Sequence, residues 1–273
     1  MGMDKVKAIM ADVDGTLLCS EGYVTEKTVK AIKQIKEKGI LFGLSTGRDA
    51  VSCQNLLKEW NIEGLVDCIV GMGGSEIDDM SLGIQKSSFP LDGELIWEII
   101  KHYEDMDLNF CIPKDGILIG YKDDEYIKLL SKLDKLPYEV VDFHELLKTP
   151  QGKVMIICNP EYMDKVIERS KTFSNPNYKC ASLKTASILY EYMDPRVTKT
   201  NGLKEVMNLH GITLDNLLVF GDADNDADMI ENAGIGVVMS NGSEKSKSVA
   251  DFITADNDND GIAVFLEAHG IVE

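Results

Sequence analysis

Asp12 and Asp14 stand two residues apart in "MADVDGTLL", at the end of a short apolar run. A β-strand sends alternate side chains to the same face, so both carboxylates point one way if the strand persists. Two carboxylates on one side suit a division of labour: one attacks or binds metal while the other moves protons. Taken alone, Asp-Gly also ends strands in ordinary turns. Three further segments give the pair company. "LSTGR" closes a second apolar run with Thr46, Gly47 and Arg48. A threonine hydroxyl and free backbone N–H groups can cradle a phosphate, helped by the positive end of a nearby helix. Arg48 either touches substrate or pairs with a neighbouring carboxylate. "VFGDADND" closes a later run with Asp222, Asn225 and Asp226, and Lys199 in "VTKTNGL" stands just before a helical pattern. Carboxylates for a cation, donors for phosphoryl oxygens and a fixed positive charge are what phosphoryl transfer needs.

These residues must be carried by elements that end at one place. "VKAIMADV" reads as a buried strand. "TEKTVKAIKQIKEKG" reads as a helix, with Val29, Ile32 and Ile35 on one face, Thr25 as cap and Gly39 as stop. "ILFGLST", "RDAVSCQNLLKEW" and "CIVG" continue as strand, helix and strand. The last third repeats the rhythm through "NLLVFGD", "ADMIENAG", "IGVVM", "EKSKSVA", "DFIT" and "DGIAVFLEAHG". Such alternation builds a parallel sheet with helices on both faces. Open sheets of this kind bind ligands at the carboxyl ends of their strands. The middle of the chain differs, with paired strands such as "LNFCIP" and "GILIGYK" separated by helices. The expectation is an α/β, Rossmann-like doubly wound parallel-sheet core formed by residues 1–82 and 191–273, interrupted by an α+β domain over residues 83–190.

Composition narrows the function classes. A net charge of −18 argues against binding nucleic-acid backbones, which a basic face must neutralise. It leaves room for small anionic substrates where a metal, a lysine or helix N-termini neutralise charge locally. No apolar run approaches a membrane span, and "MGMDKVKAIMADV" does not read as a signal peptide or a myristoylation signal. A cytoplasmic location, with no membrane and no nucleic-acid partner, is the default expectation. The six cysteines are scattered without metal-binding spacing and read as buried, reduced thiols. The histidines pair with no motif. Oligomeric state has no signature in the sequence.

In order, "DVDGTLL", "STGR", the lysine of "TKTNGL" and "GDADND" resemble the four motifs of the haloacid dehalogenase superfamily. The long insertion between the second and third motifs is similar to that of its Cof-type sugar-phosphatase branch, which carries a second-site α/β (type IIB) cap. The tail from "GIGVVM" to "DGIAVFLE" also resembles that branch. The resemblance implies a Mg2+-dependent phosphatase acting on a small phosphorylated metabolite such as a sugar phosphate. It implies that Asp12 is the nucleophile, that Asp14 protonates the leaving oxygen and then activates water, and that Thr46 bonds a phosphoryl oxygen. Lys199 would neutralise the nucleophile and the transferring group. Asp222, Asp12 and Asp14, the last through its backbone carbonyl, would hold Mg2+, with Asp226 supporting that shell and Asn225 at the phosphate or its ligands. The insertion would set substrate specificity. Gly73 stands where the family often has asparagine, and "VMSNG" replaces the usual "AMGNA".

Two other readings compete. A phosphomutase of the same superfamily usually spreads its fourth motif with extra glycines, whereas "GDADND" is compact. "ADNDNDGIAVFLE" fits the calcium-loop pattern from Asp256 to Glu267, with Asp256, Asp258 and Asp260 as first ligands. That reading requires a helix on each side, whereas "DFIT" reads as a strand. The bland alternative makes Asp260 a cap for a last helix that buries Ile262, Phe265 and Leu266 and exposes Glu267.

Overall fold

A computed structural model describes residues 2–273. The chain begins with β1 (Ala8–Ala11), α1 (Glu26–Glu37), β2 (Leu41–Ser45), α2 (Ala50–Leu56), β3 (Cys68–Gly71), β4 (Glu76–Asp79) and β5 (Ile84–Ser87). It continues through α3 (Gly93–His102), β6 (Asn109–Lys114), β7 (Ile117–Gly120), α4 (Glu125–Asp134), β8 (Tyr138–Val140) and α5 (Phe143–Leu146). Next come β9 (Val154–Ile157), α6 (Met163–Ser170), β10 (Ala181–Ala186) and β11 (Leu189–Met193). The last stretch holds α7 (Lys199–Leu209), β12 (Leu217–Gly221), α8 (Ala227–Asn232), β13 (Ile235–Met239), α9 (Glu244–Val249), β14 (Phe252–Thr254) and α10 (Gly261–Ala268).

Two compact units result, Met1–Lys86 with Thr198–Glu273, and Ser87–Val197. The expected boundaries fell after residues 82 and 190; the observed ones fall a few residues later, for topological reasons. β5 extends the first sheet beyond β4, and β11 lies between β10 and β9 in the second sheet. The first division therefore falls at the end of β5 and the second after β11.

In the first unit the strand order is β14-β13-β12-β1-β2-β3-β4-β5. Neighbours from β14 to β3 pair in parallel, and β4 turns back antiparallel on β3. β1, β12 and β13 are buried along their whole length, as strands covered by helices on both faces must be. Met10, Val70, Val219 and Val238 pack with Leu203, Val206 and Met229 of α7 and α8. α1 packs against α10, whose Phe265 meets Phe220 edge-on. This is the doubly wound α/β core.

The second unit has the strand order β10-β11-β9-β6-β7-β8, antiparallel except for the β7–β8 pair. Leu95 and Ile99 of α3, Tyr103 at its C-cap, and Met163 and Val166 of α6 share an apolar core with Phe110, Ile156 and Tyr192. The buried Tyr103 and Tyr192 hydroxyls lie 2.7 Å apart. A buried ion pair joins Lys153 to Glu191 at 2.8 Å, and Thr185 donates to the other carboxylate oxygen. This α+β unit is what the pattern of paired strands predicts. No helix among the described residues is long and apolar enough to cross a membrane.

The calcium reading is corrected by the structure. Strand β14, not a helix, precedes the segment. Its acidic side chains are already taken by protein donors. Asp256 accepts from the Asn259 amide, Asp258 from Ser20, Asp260 from Thr25, and Glu267 pairs with Lys27. Ile262, Phe265 and Leu266 are buried, as the helix reading requires. Asp260 sits at the N-cap of α10, but its side chain makes no capping bond.

Candidate active site

The carboxyl edge of the first sheet gathers the chemistry. Asp12 follows β1, and its amide still donates to the Phe220 carbonyl at 2.9 Å. Lys199 opens α7, whose start is fixed by Thr198 accepting from the Asn201 amide. The Lys199 ammonium lies 2.6 Å from Asp12 Oδ1 and 2.5 Å from Asp226 Oδ1, with all three side chains buried. Burial alone would lower the lysine pKa, but the two carboxylates outweigh it and hold Lys199 charged, above its ordinary value. Burial raises Asp12, against the pull of Lys199, and the nearby Asp226 and Asp222 carboxylates add to the rise. The second oxygen of Asp12 makes no hydrogen bond among the described residues.

Asp226 works as a buttress. Its other oxygen accepts from the amides of Asp222 and Ala223, both at 2.9 Å, which shapes the turn after β12. Asp222 sits on that turn and accepts from the Thr16 hydroxyl at 2.6 Å through Oδ1. Burial pushes its carboxyl up to about 6. Asp12, Asp222 and Asp226 each offer a carboxylate oxygen within 4.8 Å of the others. Three carboxylates against one lysine leave an excess of buried negative charge. An all-oxygen donor set of this kind suits a hard divalent cation. Asp12 and Asp222 have oxygens to give, whereas both oxygens of Asp226 are engaged.

Asp14 does not follow Asp12. The strand ends at Ala11, and the Leu17 and Leu18 amides turn back to donate to the carbonyls of Asp12 and Val13. The expectation that a continuing strand points both carboxylates one way is therefore corrected. The Asp14 side chain is 55% exposed and is gripped by Arg48, Nε to Oδ2 at 2.8 Å and Nη2 to Oδ1 at 3.0 Å. Arg48 thus pairs with a carboxylate. Its side chain, like that of Asp14, is no part of the buried acidic cluster. Thr46 is buried beyond β2, its amide donating to Val70 and its hydroxyl accepting from the Arg48 amide at 3.1 Å. The space beside the Gly47 Cα is open. Asn225 is half-buried, and its side chain makes no hydrogen bond among the described residues.

Close approach of backbones sets these positions. Gly15 has φ +86°, and a Cβ there would lie 2.6 Å from an Asp222 oxygen. Gly74 has φ +119°, and a Cβ would lie 2.0 Å from the Thr198 carbonyl, one residue before Lys199. The 71–75 turn is also tied to the second strand end, through Gly73 N–H to the Thr46 carbonyl and Met72 N–H to the Arg48 carbonyl.

A sequence model of haloacid dehalogenase-like hydrolases matches residues 9–266, which includes every one of these groups. The chain belongs to that family. Two Bacillus subtilis (strain 168) relatives illustrate the likeness. The 5-amino-6-(5-phospho-D-ribitylamino)uracil phosphatase YitU is 26% identical over 266 residues, 96% of this chain and 96% of the relative. The phosphatase YcsE, named for the same substrate, is 26% identical over 262 residues, 94% of this chain and 93% of its own. A haloacid dehalogenase-like hydrolase from Bacteroides thetaiotaomicron has a crystal structure that superposes with a TM-score of 0.85. It is 25% identical, and the match covers 96% of this chain and 99% of that one. The Cof-type resemblance of the four motifs stands with these findings, and this family member is a phosphatase.

Two residues of the hydrolase site lie inside quoted motifs but receive no role from them. Thr16 aligns Asp222, yet after Asp-Gly it looks like a turn residue. Asn241 donates from Nδ2 to the Gly15 carbonyl at 2.9 Å, tying the "VMSNG" turn to the loop after β1. The asparagine that "VMSNG" keeps in common with "AMGNA" was the available signal.

Proposed function

We propose that the chain is a Mg2+-dependent phosphatase that hydrolyses a small phosphorylated metabolite, a sugar phosphate or a similar polyol phosphate, with Asp12 as nucleophile. The observation that carries this reading is the buried Lys199 ammonium shared between Asp12 and Asp226, with the other Asp12 oxygen making no hydrogen bond among the described residues. An anionic nucleophile approaches a phosphate dianion only where fixed positive charge offsets the repulsion. Lys199 supplies part of that charge. Mg2+, held by Asp12 and Asp222 with the Asp14 carbonyl, would supply the rest, and Asp226 would support the shell without donating an oxygen of its own.

Asp12 forms a bond to phosphorus as the bond to the leaving oxygen breaks, giving an aspartyl-phosphate. Asp14, once one of its oxygens leaves Arg48 and takes a proton from solvent, gives that proton to the leaving oxygen. It then takes a proton from water as the water oxygen attacks phosphorus, which frees Asp12 and inorganic phosphate. The Thr46 hydroxyl, Gly47 and Asn225 take phosphoryl oxygens. The unit Ser87–Val197 is the part of the chain expected to choose the substrate.

The named substrate of the two Bacillus subtilis relatives is a ribityl phosphate, which supports a hydroxylated phosphate monoester here. A panel of phosphorylated metabolites assayed with Mg2+ tests the proposal. The expected result is inorganic phosphate from sugar or polyol phosphates, lost with EDTA and restored by Mg2+. Isomer formation from a hexose phosphate would make the chain a mutase instead. Activity indifferent to EDTA would contradict the metal.

A further inference from the structure

The segment that follows the catalytic turn is held from the far end of the chain. Residues 12–18 curl back on themselves through Leu17 N–H to Asp12 C=O and Leu18 N–H to Val13 C=O. The next residues form a tight loop closed by Cys19 N–H to Tyr23 C=O. These local bonds do not anchor the segment to the sheet. Its outer side is met by the loop between β14 and α10. Asn257 Nδ2 donates to the Leu18 carbonyl at 2.8 Å. The Ser20 amide and hydroxyl donate to the two oxygens of Asp258 at 2.7 and 2.6 Å. The Thr25 hydroxyl donates to Asp260 while accepting from the Thr28 amide at the start of α1. Asp260 reaches Thr25 from a left-handed backbone, φ +56°, a conformation that asparagine and aspartate tolerate better than most residues.

We propose that the 257–260 loop is a clamp that positions the Asp14–Thr16 turn for catalysis, with Asn257 and Asp258 as its principal positioning residues. Each end of the turn is then fixed. The near end follows β1 and is tied by Asn241 to the Gly15 carbonyl and by Thr16 to Asp222. The far end is fixed through Leu18, whose N–H bonds Val13 and whose carbonyl takes Asn257. In the "DNDND" run, which spells a cation loop, Asp258 and Asp260 accept from Ser20 and Thr25, Asn257 donates to the Leu18 carbonyl, and Asp256 accepts from Asn259. None of these clamp residues touches the buried acidic cluster, so they act through the turn alone.

The inference rests on the phosphatase reading for its kinetic consequence. A looser turn should harm proton delivery by Asp14 more than attack by Asp12. An alkyl phosphate needs its leaving oxygen protonated, whereas an aryl phosphate with an acidic phenol needs it far less. Asp258→Ala should therefore lower kcat/KM on an alkyl phosphate by about tenfold, a fraction of what a whole general acid contributes. On an aryl phosphate the fall in kcat/KM, which covers release of the leaving group but not the shared hydrolysis of the aspartyl-phosphate, should be less than about twofold. Asp258→Asn, which keeps one acceptor for Ser20, should restore most of the loss, and Ser20→Ala should show a weaker form of it. Equal losses on both substrates, or none on either, would overturn the clamp. Hydrogen exchange gives a readout that needs no turnover. Amides of Leu17 and Leu18 should exchange faster in Asp258→Ala, and unchanged exchange overturns the proposal. A wild-type protein inactive on every phosphate monoester would instead strike the phosphatase reading, with the exchange result still deciding the clamp.

Discussion

Lys199 and Asp226 meet inside the first unit, ammonium to carboxylate at 2.5 Å, and the other Asp226 oxygen holds the turn that presents Asp222. One buried pair therefore links the ends of β1 and β12 to the start of α7. Removing its cation should cost both fold and activity. Lys199→Met leaves Asp12 and Asp226 buried without their partner, for which about 3–5 kcal/mol is expected. Urea unfolding in EDTA should show that loss, and kcat should fall about a thousandfold, the scale on which fixed charge at a transferring group acts. Stability within 1 kcal/mol of wild type would mean that the pair is not holding the cluster.

Gly74 determines where Lys199 begins its helix. Gly74→Ala puts a Cβ on the Thr198 carbonyl and forces a non-glycine residue to φ +119°. A destabilisation of about 1–3 kcal/mol is expected, with a drop in kcat because Thr198 and Lys199 must move. Should the variant keep both its melting temperature and its kcat, the close approach is not needed.

Thr16 aligns Asp222 as an outer partner aligns a metal ligand. Thr16→Val keeps the shape and removes the bond. Apparent Mg2+ affinity, read from activation or from thermal stabilisation, should weaken about tenfold, as losses of such partners do. A wild-type Mg2+ titration curve from this variant would separate Thr16 from the metal site.

Asp222 also makes the metal-free fold sensitive to pH. Its carboxyl lies at about 6 in the folded chain against 3.8 without the fold, so the folded state binds that proton more tightly. The resulting penalty is absent below the lower value and complete above the upper one, amounting to about 3 kcal/mol. Without metal, this group should make stability fall as pH rises through that window. Added Mg2+ should restore more stability above the window than below it. Equal stabilisation at both ends would show that Asp222 does not take the ion.

The core motifs were legible because Asp12, Thr46 and Asp222 each follow an apolar run, and strand ends in an open parallel sheet collect at one edge. From its own surroundings Lys199 reads as a charge before a helix, and only the motif resemblance gives it a role, because its two partners lie 187 and 27 residues away. Asp14 would share the direction of Asp12 only if the strand persisted; the Leu17 and Leu18 amides instead curl the chain back on the Asp12 and Val13 carbonyls, a local closure that alternation cannot reveal. β4 was missed because "EIDD" has the composition of a surface turn. Yet Asp79 is buried there, satisfied by the Ser81 hydroxyl, the Leu82 amide and His210. Asn241 and the 257–260 loop act across more than two hundred residues, so the sequence offered a family-like turn and a cation-loop pattern but not their partners at Gly15 and Leu18.

The central claim is that Asp12 takes the phosphoryl group. Steady-state hydrolysis of an aryl phosphate by Asp12→Asn and by wild type, both with saturating Mg2+ and matched circular dichroism, tests it most directly. The account predicts a folded variant with no detectable turnover. A folded Asp12→Asn variant that turns over at the wild-type rate would contradict it.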